Sequence, residues 1–403
     1  MQKILETKGV NMYTYQYLII GGGMAADAAV RGIRAIDPHG TIGMIGEESE
    51  PPYSRPPLSK ALWKGAPIES VWRRTPGEAL TLHLGHKVLS LNTTERLAVD
   101  EQGQTYRGDK LLLATGGTPR RLPFGSQDIV YFRTLADFKH LHELSMQVER
   151  FAIIGGGFIG SEVAAALAMN GKQVSMVFPE DGIGGLVFPN DVSRFLNEFF
   201  RKKGVEVLAG EWLTGMETRG KEHVLTTKSG REIVADAVVA GIGLLPNLEL
   251  AKTAGLATGN GITVDEYLLT SRPDIYAAGD VAEFYNPALG KRMRVEHEDN
   301  ANTMGLQAGR NMAGAAEPYH HLPFFYSDLF ELGYEAVGEL DAHLTVVADW
   351  KEPYQAGVLY YLKESRVRGV LLWNVWKKID AARLLIADPG PFSPGNLIGR
   401  LGY

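Results

Sequence analysis

The sequence predicts an α/β fold organised around two βαβ units, and three observations carry that prediction. Gly21-Gly22-Gly23-Met24-Ala25-Ala26 follows the apolar run Tyr17-Leu18-Ile19-Ile20. The same arrangement returns at Gly155-Gly156-Gly157-Phe158-Ile159-Gly160, behind Phe151-Ala152-Ile153-Ile154. Each glycine run also stands ahead of an Ala-rich amphipathic segment, giving the order strand, tight turn, helix. Such a turn needs residues without a Cβ, so that the backbone can approach a pyrophosphate resting on the helix N-terminus. One glycine motif is weak evidence, but two in this context describe a chain built to hold two dinucleotides.

Composition bounds the rest. The chain has 403 residues, 45% hydrophobic and 22% charged, enough for two or three packed domains. A net charge of -6 argues against nucleic acid as the principal partner, since phosphate binding needs a surplus of Lys and Arg. Met1-Gln2-Lys3-Ile4-Leu5-Glu6-Thr7-Lys8 mixes acidic and basic residues without an apolar core, and reads as a short floppy lead with Met12 as an alternative start. Without a secretory or transit pattern, the cytoplasm is the expected compartment. No apolar stretch reaches the roughly 20 residues that span a bilayer. The cysteine count is zero, which excludes a redox-active thiol, cysteine-ligated zinc and iron–sulfur clusters. His320-His321 has no ligand spacing, and no metal is expected.

The first unit continues to Thr41-Ile42-Gly43-Met44-Ile45-Gly46-Glu47. Glu47 lies about 25 residues after Gly21, near the spacing at which a carboxylate accepts both ribose hydroxyls; a solvated strand end at Glu47 or Glu48 is the alternative. Prolines are too dense for regular structure in Pro51-Pro52-Tyr53-Ser54-Arg55-Pro56-Pro57-Leu58-Ser59-Lys60, a stiff loop suited to holding Arg55 and Lys60 in fixed directions. Alternation over residues 81–108 predicts a β-meander, ending in the buried strand Lys110-Leu111-Leu112-Leu113 and the turn Ala114-Thr115-Gly116-Gly117. In the second unit, Gln173-Val174-Ser175-Met176-Val177-Phe178 leads to Glu180 at the ribose-binding position. No Arg follows to receive a 2′-phosphate, which favours NADH over NADPH. Beyond Gly241-Ile242-Gly243-Leu244-Leu245-Pro246-Asn247, the short strand ending in Ala277-Ala278-Gly279-Asp280 places a carboxylate suited to a ribityl hydroxyl. From Val281 onward, helix N-terminal N–H groups are expected.

Together these stretches resemble the FAD- and NAD-binding pyridine-nucleotide oxidoreductases of the glutathione-reductase fold. Within them the chain resembles apoptosis-inducing factor and its bacterial relatives, with the ferredoxin and rubredoxin reductases next. The distinguishing residues are Arg55-Pro56-Pro57-Leu58-Ser59-Lys60, Gly157-Phe158-Ile159-Gly160-Ser161-Glu162, Arg294-Val295-Glu296-His297, Phe325-Tyr326-Ser327-Asp328, Gly333-Tyr334-Glu335 and Leu372-Trp373-Asn374. The resemblance implies two Rossmann-like domains plus a C-terminal α+β domain: FAD-binding residues 13–122 and 246–322, NAD-binding residues 123–245, and a C-terminal domain over 323–403. It implies FAD and NAD(H) as cofactors.

It further implies a Lys60–Glu162 pair near flavin N5, with Lys60 from the FAD domain and Glu162 on the second glycine helix. A cation there stabilises reduced flavin; an ordinary interdomain salt bridge is the other reading. Phe158 would lie at the nicotinamide or serve as core packing. FAD contacts carried over are Gly21, Gly23, Ala26, Glu47, Arg55, Lys60, Val88, Arg133, Gly279, Asp280, Glu296 and His297. For His297 a structural hydrogen bond and a redox role both stay open. Nucleotide contacts carried over are Gly155, Gly157, Phe158, Gly160, Glu180, Gly243, Glu335 and Asn374.

Two departures qualify the resemblance. Tyr326 stands where apoptosis-inducing factor and many ferredoxin reductases have Trp, which bears on the electron route and on nicotinamide affinity. Residues 323–403 are too few for the long loop of the animal protein, so its death-related and DNA-binding roles are not carried over. Three functions follow as expectations: an NADH oxidoreductase with a long-lived charge-transfer complex; a reductase passing electrons to a ferredoxin, rubredoxin or quinone; and an NADH-sensing protein whose homodimer or partner binding responds to nucleotide.

Overall fold

A computed structural model describes residues 5–7, 10–77, 79–125 and 127–403, with side chains described from Met12 onward. Most of the expected lead, residues 1–4 and 8–9, lies outside the described residues. Leu5–Thr7 is a short strand antiparallel to the start of Val10–Ile20, where no regular structure was expected. The chain divides into two compact units, one of Met1–Ser54, Glu69–Thr118 and Pro246–Pro323, the other of Arg55–Ile68, Pro119–Leu245 and Phe324–Tyr403.

The first unit is built on an eight-stranded sheet. Val10–Ile20 pairs in parallel with Ile42–Gly46 on one side and with Thr105–Leu113 on the other; Ile19 faces Met44 and Leu112. Leu18, Ile19, Met44, Leu111 and Leu112 are wholly buried, as strands covered on both faces require. Thr105–Leu113 is long enough to take two partners along one edge. Its start pairs antiparallel with Leu97–Asp100, and its end pairs in parallel with Ile275–Ala277.

Two expectations need correction here. The meander covers only Val88–Asn92, Leu97–Asp100 and Thr105–Leu113, because Leu80–Leu84 runs parallel to Ile42–Gly46 and extends the main sheet. Alternation has a period of two in either direction, so it could not reveal which edge this strand would join. At Val281 there is no long helix: Gly279–Val281 is a single 3-10 turn followed by the strand Ala282–Asn286. That strand buries Ala282, Phe284 and Asn286 and turns Glu283 and Tyr285 to the other face, then folds back on Lys291–Met293; the long helix begins only at Glu298.

Helix Met24–Ile36 packs on helix Glu298–Met312 at a separation that only glycines permit. A Cβ on Gly309 would stand 2.0 Å from the Ala29 carbonyl oxygen, and one on Gly305 2.3 Å from that of Ala25. In the same helix, Asp27 is fully buried yet satisfied by Arg31 at 3.0 Å and Arg73 at 2.6 Å, and Arg73 also donates to Asn302.

The second unit has a parallel sheet in the order Glu206–Ala209, Gln173–Phe178, Arg150–Ile154, Ala237–Ala240, Ile129–Tyr131. A three-stranded antiparallel sheet, Leu213–Arg219, Glu222–Thr227 and Glu232–Ala235, accompanies it. The C-terminal part is a five-stranded antiparallel sheet with helix Ile379–Ala387 against it, so the α+β expectation for this region holds. Segment Arg55–Ile68 folds with this unit. Its two 3-10 turns are tied down by Trp63, whose Nε1 donates to Leu58 and whose ring meets Phe138 edge-on at 5.6 Å. Asn170, at the end of the second glycine helix Phe158–Met169, donates to the Trp63 carbonyl.

The helix contact yields a test. Gly309→Ala forces Met24–Ile36 and Glu298–Met312 apart, with an expected loss of about 1–3 kcal/mol, read by urea denaturation of the unliganded protein; an unchanged midpoint would refute the close contact.

Candidate functional site

Each unit carries one glycine turn, and both turns obey the same steric rule. At Gly21 φ is +127° and a Cβ would lie 2.2 Å from the Ala114 carbonyl oxygen; at Gly155 φ is +109° and the distance to the Gly241 oxygen is 2.4 Å. No L side chain is accommodated there. Gly160 is excluded for another reason, because its Cβ would stand 2.0 Å from the oxygen of Gly155, one turn below. Gly23 and Gly157 are different. Each is the N-cap of its helix, makes no side-chain cap bond, and would place a Cβ where nothing lies within 4 Å. The space above each helix N-terminus is therefore an open cradle bordered by backbone N–H groups, and a dinucleotide pyrophosphate fits it.

In the first unit several expected residues converge on this cradle. Gly46 packs against Gly22, the hypothetical Gly22 Cβ lying 3.1 Å from its Cα, so Glu47 leaves the sheet beside the turn. Glu47 pairs with Lys87 at 2.8 Å with both side chains more than half exposed, and Val88 follows on the meander. Ala26 is wholly buried in the helix. Gly279, at φ +79°, touches Ala25, which brings the Gly279-Asp280 turn to the same helix. Arg294 donates to the Asp280 carbonyl at 3.0 Å and to Glu296 at 2.5 Å. His297 caps helix Glu298–Met312, where desolvation pushes its imidazole down to about 4 despite the opposing fields of Asp280 and Asp299.

The second unit holds the charged cluster. Lys60 Nζ lies 2.7 Å from Glu162 Oε1, with the two side chains 11% and 3% exposed. Ser59 donates to Oε2 at 2.5 Å and Ser327 to Oε1 at 2.6 Å. Both serines lie in stretches that carried the resemblance, but neither was named as a site residue from the sequence. The Lys60 ammonium stands 5.3 Å from the ring centroid of Tyr326, which is 36% exposed. Phe158 packs on Phe325 with centroids 5.0 Å apart. Arg55 donates to the Arg133 carbonyl at 2.9 Å, bringing those two together.

Among the nucleotide candidates, Glu335 is the most telling. Its Oε2 is buried without a hydrogen-bond partner, and desolvation raises its carboxyl above the usual range against one backbone N–H from Lys377. A buried acceptor in this condition suits a donor such as a carboxamide N–H. Asn374 closes a turn: its side chain accepts from Gly333 N at 2.7 Å and donates to Gln355 O at 2.8 Å, with its own φ at +49°. Gly243 sits at φ +90° beside Arg120, and Glu180 follows the end of Gln173–Phe178.

A fold with two pyrophosphate cradles and a buried lysine–carboxylate pair defines a class, the dinucleotide-dependent oxidoreductases. Residues 15–305 match the family described as pyridine nucleotide-disulphide oxidoreductase; residues 308–353 and 348–388 match the C-terminal part of mitochondrion-associated apoptosis-inducing factor. The chain belongs to the pyridine nucleotide-disulphide oxidoreductase family and is a flavin oxidoreductase with FAD and NAD(H) as cofactors. It is 35% identical to "Apoptosis-inducing factor 1, mitochondrial" of Dictyostelium discoideum, over 92% of this chain and 78% of that protein. Its identity is 34% to the 5,5'-dehydrodivanillate O-demethylase ferredoxin reductase subunit of Sphingobium, over 93% of each. The structure of the putidaredoxin reductase–putidaredoxin complex superposes with a TM-score of 0.88 at 31% identity, covering 96% of both chains. Among the described residues, no helix is long and apolar enough to cross a membrane.

Two measurements follow. Gly157→Ala is expected to leave unfolding of the unliganded protein within about 1 kcal/mol while weakening NAD(H) binding at least tenfold, whereas Gly160→Ala destabilises the protein by about 1–3 kcal/mol; equal nucleotide affinity for Gly157→Ala and parent would remove the cradle. Because His297 binds its proton more weakly folded than unfolded, its contribution to stability is complete above pH 6.5 and is lost as pH falls toward 4. Urea titrations across that window should show stability dropping by roughly 2–3 kcal/mol, with a shallower slope in His297→Gln.

Proposed function

We propose that this chain is an FAD-dependent NADH oxidoreductase of the apoptosis-inducing-factor kind that retains its oxidised nucleotide. The observation that carries the reading is the Lys60–Glu162 pair, buried, anchored by two hydroxyls and bordered by the exposed ring of Tyr326. Bound FAD and NADH supply the chemistry, a hydride passing from nicotinamide C4 to flavin N5. The chain's own part is to orient and to stabilise charge. Lys60 presents a fixed ammonium to the electron-rich flavin, and preorganised charge costs no rearrangement at the moment of transfer. Phe158 borders the nicotinamide, and Glu335 Oε2 accepts the carboxamide N–H. In this reading residues 13–122 and 246–322 bind FAD, residues 123–245 bind NAD(H), and residues 323–403 form a C-terminal α+β domain. Glu180, with no arginine immediately after it, accepts the ribose hydroxyls and favours NADH. Since the chain has no cysteine, its electrons cannot leave through a protein disulfide.

A second reading, delivery of electrons to a small carrier such as a ferredoxin or rubredoxin, is favoured by the near-complete coverage of putidaredoxin reductase and of the demethylase reductase subunit.

Anaerobic stopped-flow absorbance separates the two. Slow flavin bleaching with a persistent long-wavelength band and poor reoxidation by ferredoxin is the expected outcome, with NADH at least tenfold more effective than NADPH. Prompt reoxidation by ferredoxin would transfer the assignment to the second reading. Lys60→Met should slow bleaching at least tenfold; a parental rate would exclude Lys60 from the reaction.

A further inference from the structure

Three donors meet one carboxylate. Glu162 Oε1 accepts from Lys60 at 2.7 Å and from Ser327 at 2.6 Å, while Oε2 accepts from Ser59 at 2.5 Å. Ser59, Glu162 and Ser327 expose only 5%, 4% and 1% of their surface, so water does not compete for these bonds. The hydroxyls come from separate elements, the 3-10 turn Pro56–Ser59 and the strand Phe324–Leu329, and they grip the carboxylate from both of its oxygens.

An ionised carboxylate offers about four lone-pair positions. If Lys60 were its sole partner, the ammonium would be drawn wholly onto it, and its field would be cancelled where water is scarce and fields reach furthest. Hydroxyls change this balance without adding charge, because they fill acceptor positions and fix the rotamer of Glu162.

We propose that Ser59 and Ser327 are positioning residues which, by sharing the Glu162 carboxylate with Lys60, keep part of the ammonium's field directed at the flavin and so raise its reduction potential. The inference rests on the reading that Lys60 serves the flavin, and goes beyond it by assigning how that lysine is held and tuned.

The test uses the full-length FAD-loaded protein and reads the flavin midpoint potential by equilibration with a reference dye. Ser59→Ala and Ser327→Ala are each expected to shift the equilibrium toward oxidised flavin five- to tenfold, about 20–30 mV for a two-electron couple. Ser327→Thr, which keeps the hydroxyl, should return it to within twofold of the parent. Folded alanine variants with the parental potential would overturn the proposal, provided that Lys60→Met does move it. Should Lys60→Met also leave the potential unchanged, the flavin role of Lys60 fails first and the positioning role with it. The serines act on different oxygens, so either alanine variant decides alone if the other does not fold.

Discussion

Backbone oxygens occupy the places where side chains would otherwise begin. At Gly21 and Gly155 a neighbouring carbonyl stands within 2.4 Å of any Cβ, and at Gly309 one stands 2.0 Å away. This steric condition fixes how closely each glycine helix can lie to the sheet or helix beside it. Close approach in turn aims the helix N-terminus at the end of its strand, so that open space instead of packed side chains lies beyond Gly23 and Gly157. Burial around the turns is nearly complete on the protein side, with Leu18, Ile19 and Ala26 inaccessible in one unit and Ala152, Ile153 and Val163 in the other. A dense interior lies on one face of each turn and open space on the other.

Charge is handled in a comparable way in both units, by satisfying each buried ion before it can become a cost. Asp27 would be expensive in isolation, but two arginines complete it. Glu162 is completed by one lysine and two hydroxyls, an arrangement in which no partner has to neutralise it alone. Glu335 is less completely met: it takes a backbone N–H from Lys377, but its Oε2 is buried without a hydrogen-bond partner. An unmatched buried acceptor costs stability until a donor reaches it. Absence of cysteine completes the picture: with no thiol to carry electrons, redox chemistry falls to the bound cofactors.

Much of this was legible in the amino-acid order. Strand, glycine turn and helix are contiguous, and their periodicities and Cβ requirements are local, so both cradles could be read directly. The Ala-Ala-Gly-Asp turn was also readable, although the helix expected at Val281 was not there. Alternation over Ala282-Glu283-Phe284 was the available sign of a strand, but it spans only three residues. Leu80–Leu84 was read as part of a meander because alternation carries no information about the direction of the neighbouring strand. Asn374 was legible as a position, whereas the turn its amide closes on Gly333 was not.

By itself the sequence determined the two nucleotide turns, the exclusion of thiol chemistry and the residues from which a charged site could be assembled. Tertiary structure alone decided the company those residues keep. Ser59 and Glu162 are 103 positions apart, and Ser327 and Glu162 are 165 apart. Local patterns encode the conformation of neighbours along the chain, while the choice of which distant hydroxyl reaches a buried carboxylate is made by packing. Trp63 wedged against Phe138 brings the turn of Ser59 and Lys60 to the second glycine helix, and the C-terminal sheet brings Ser327. Burial then makes those hydrogen bonds obligatory, because a carboxylate removed from water must find its partners within the protein.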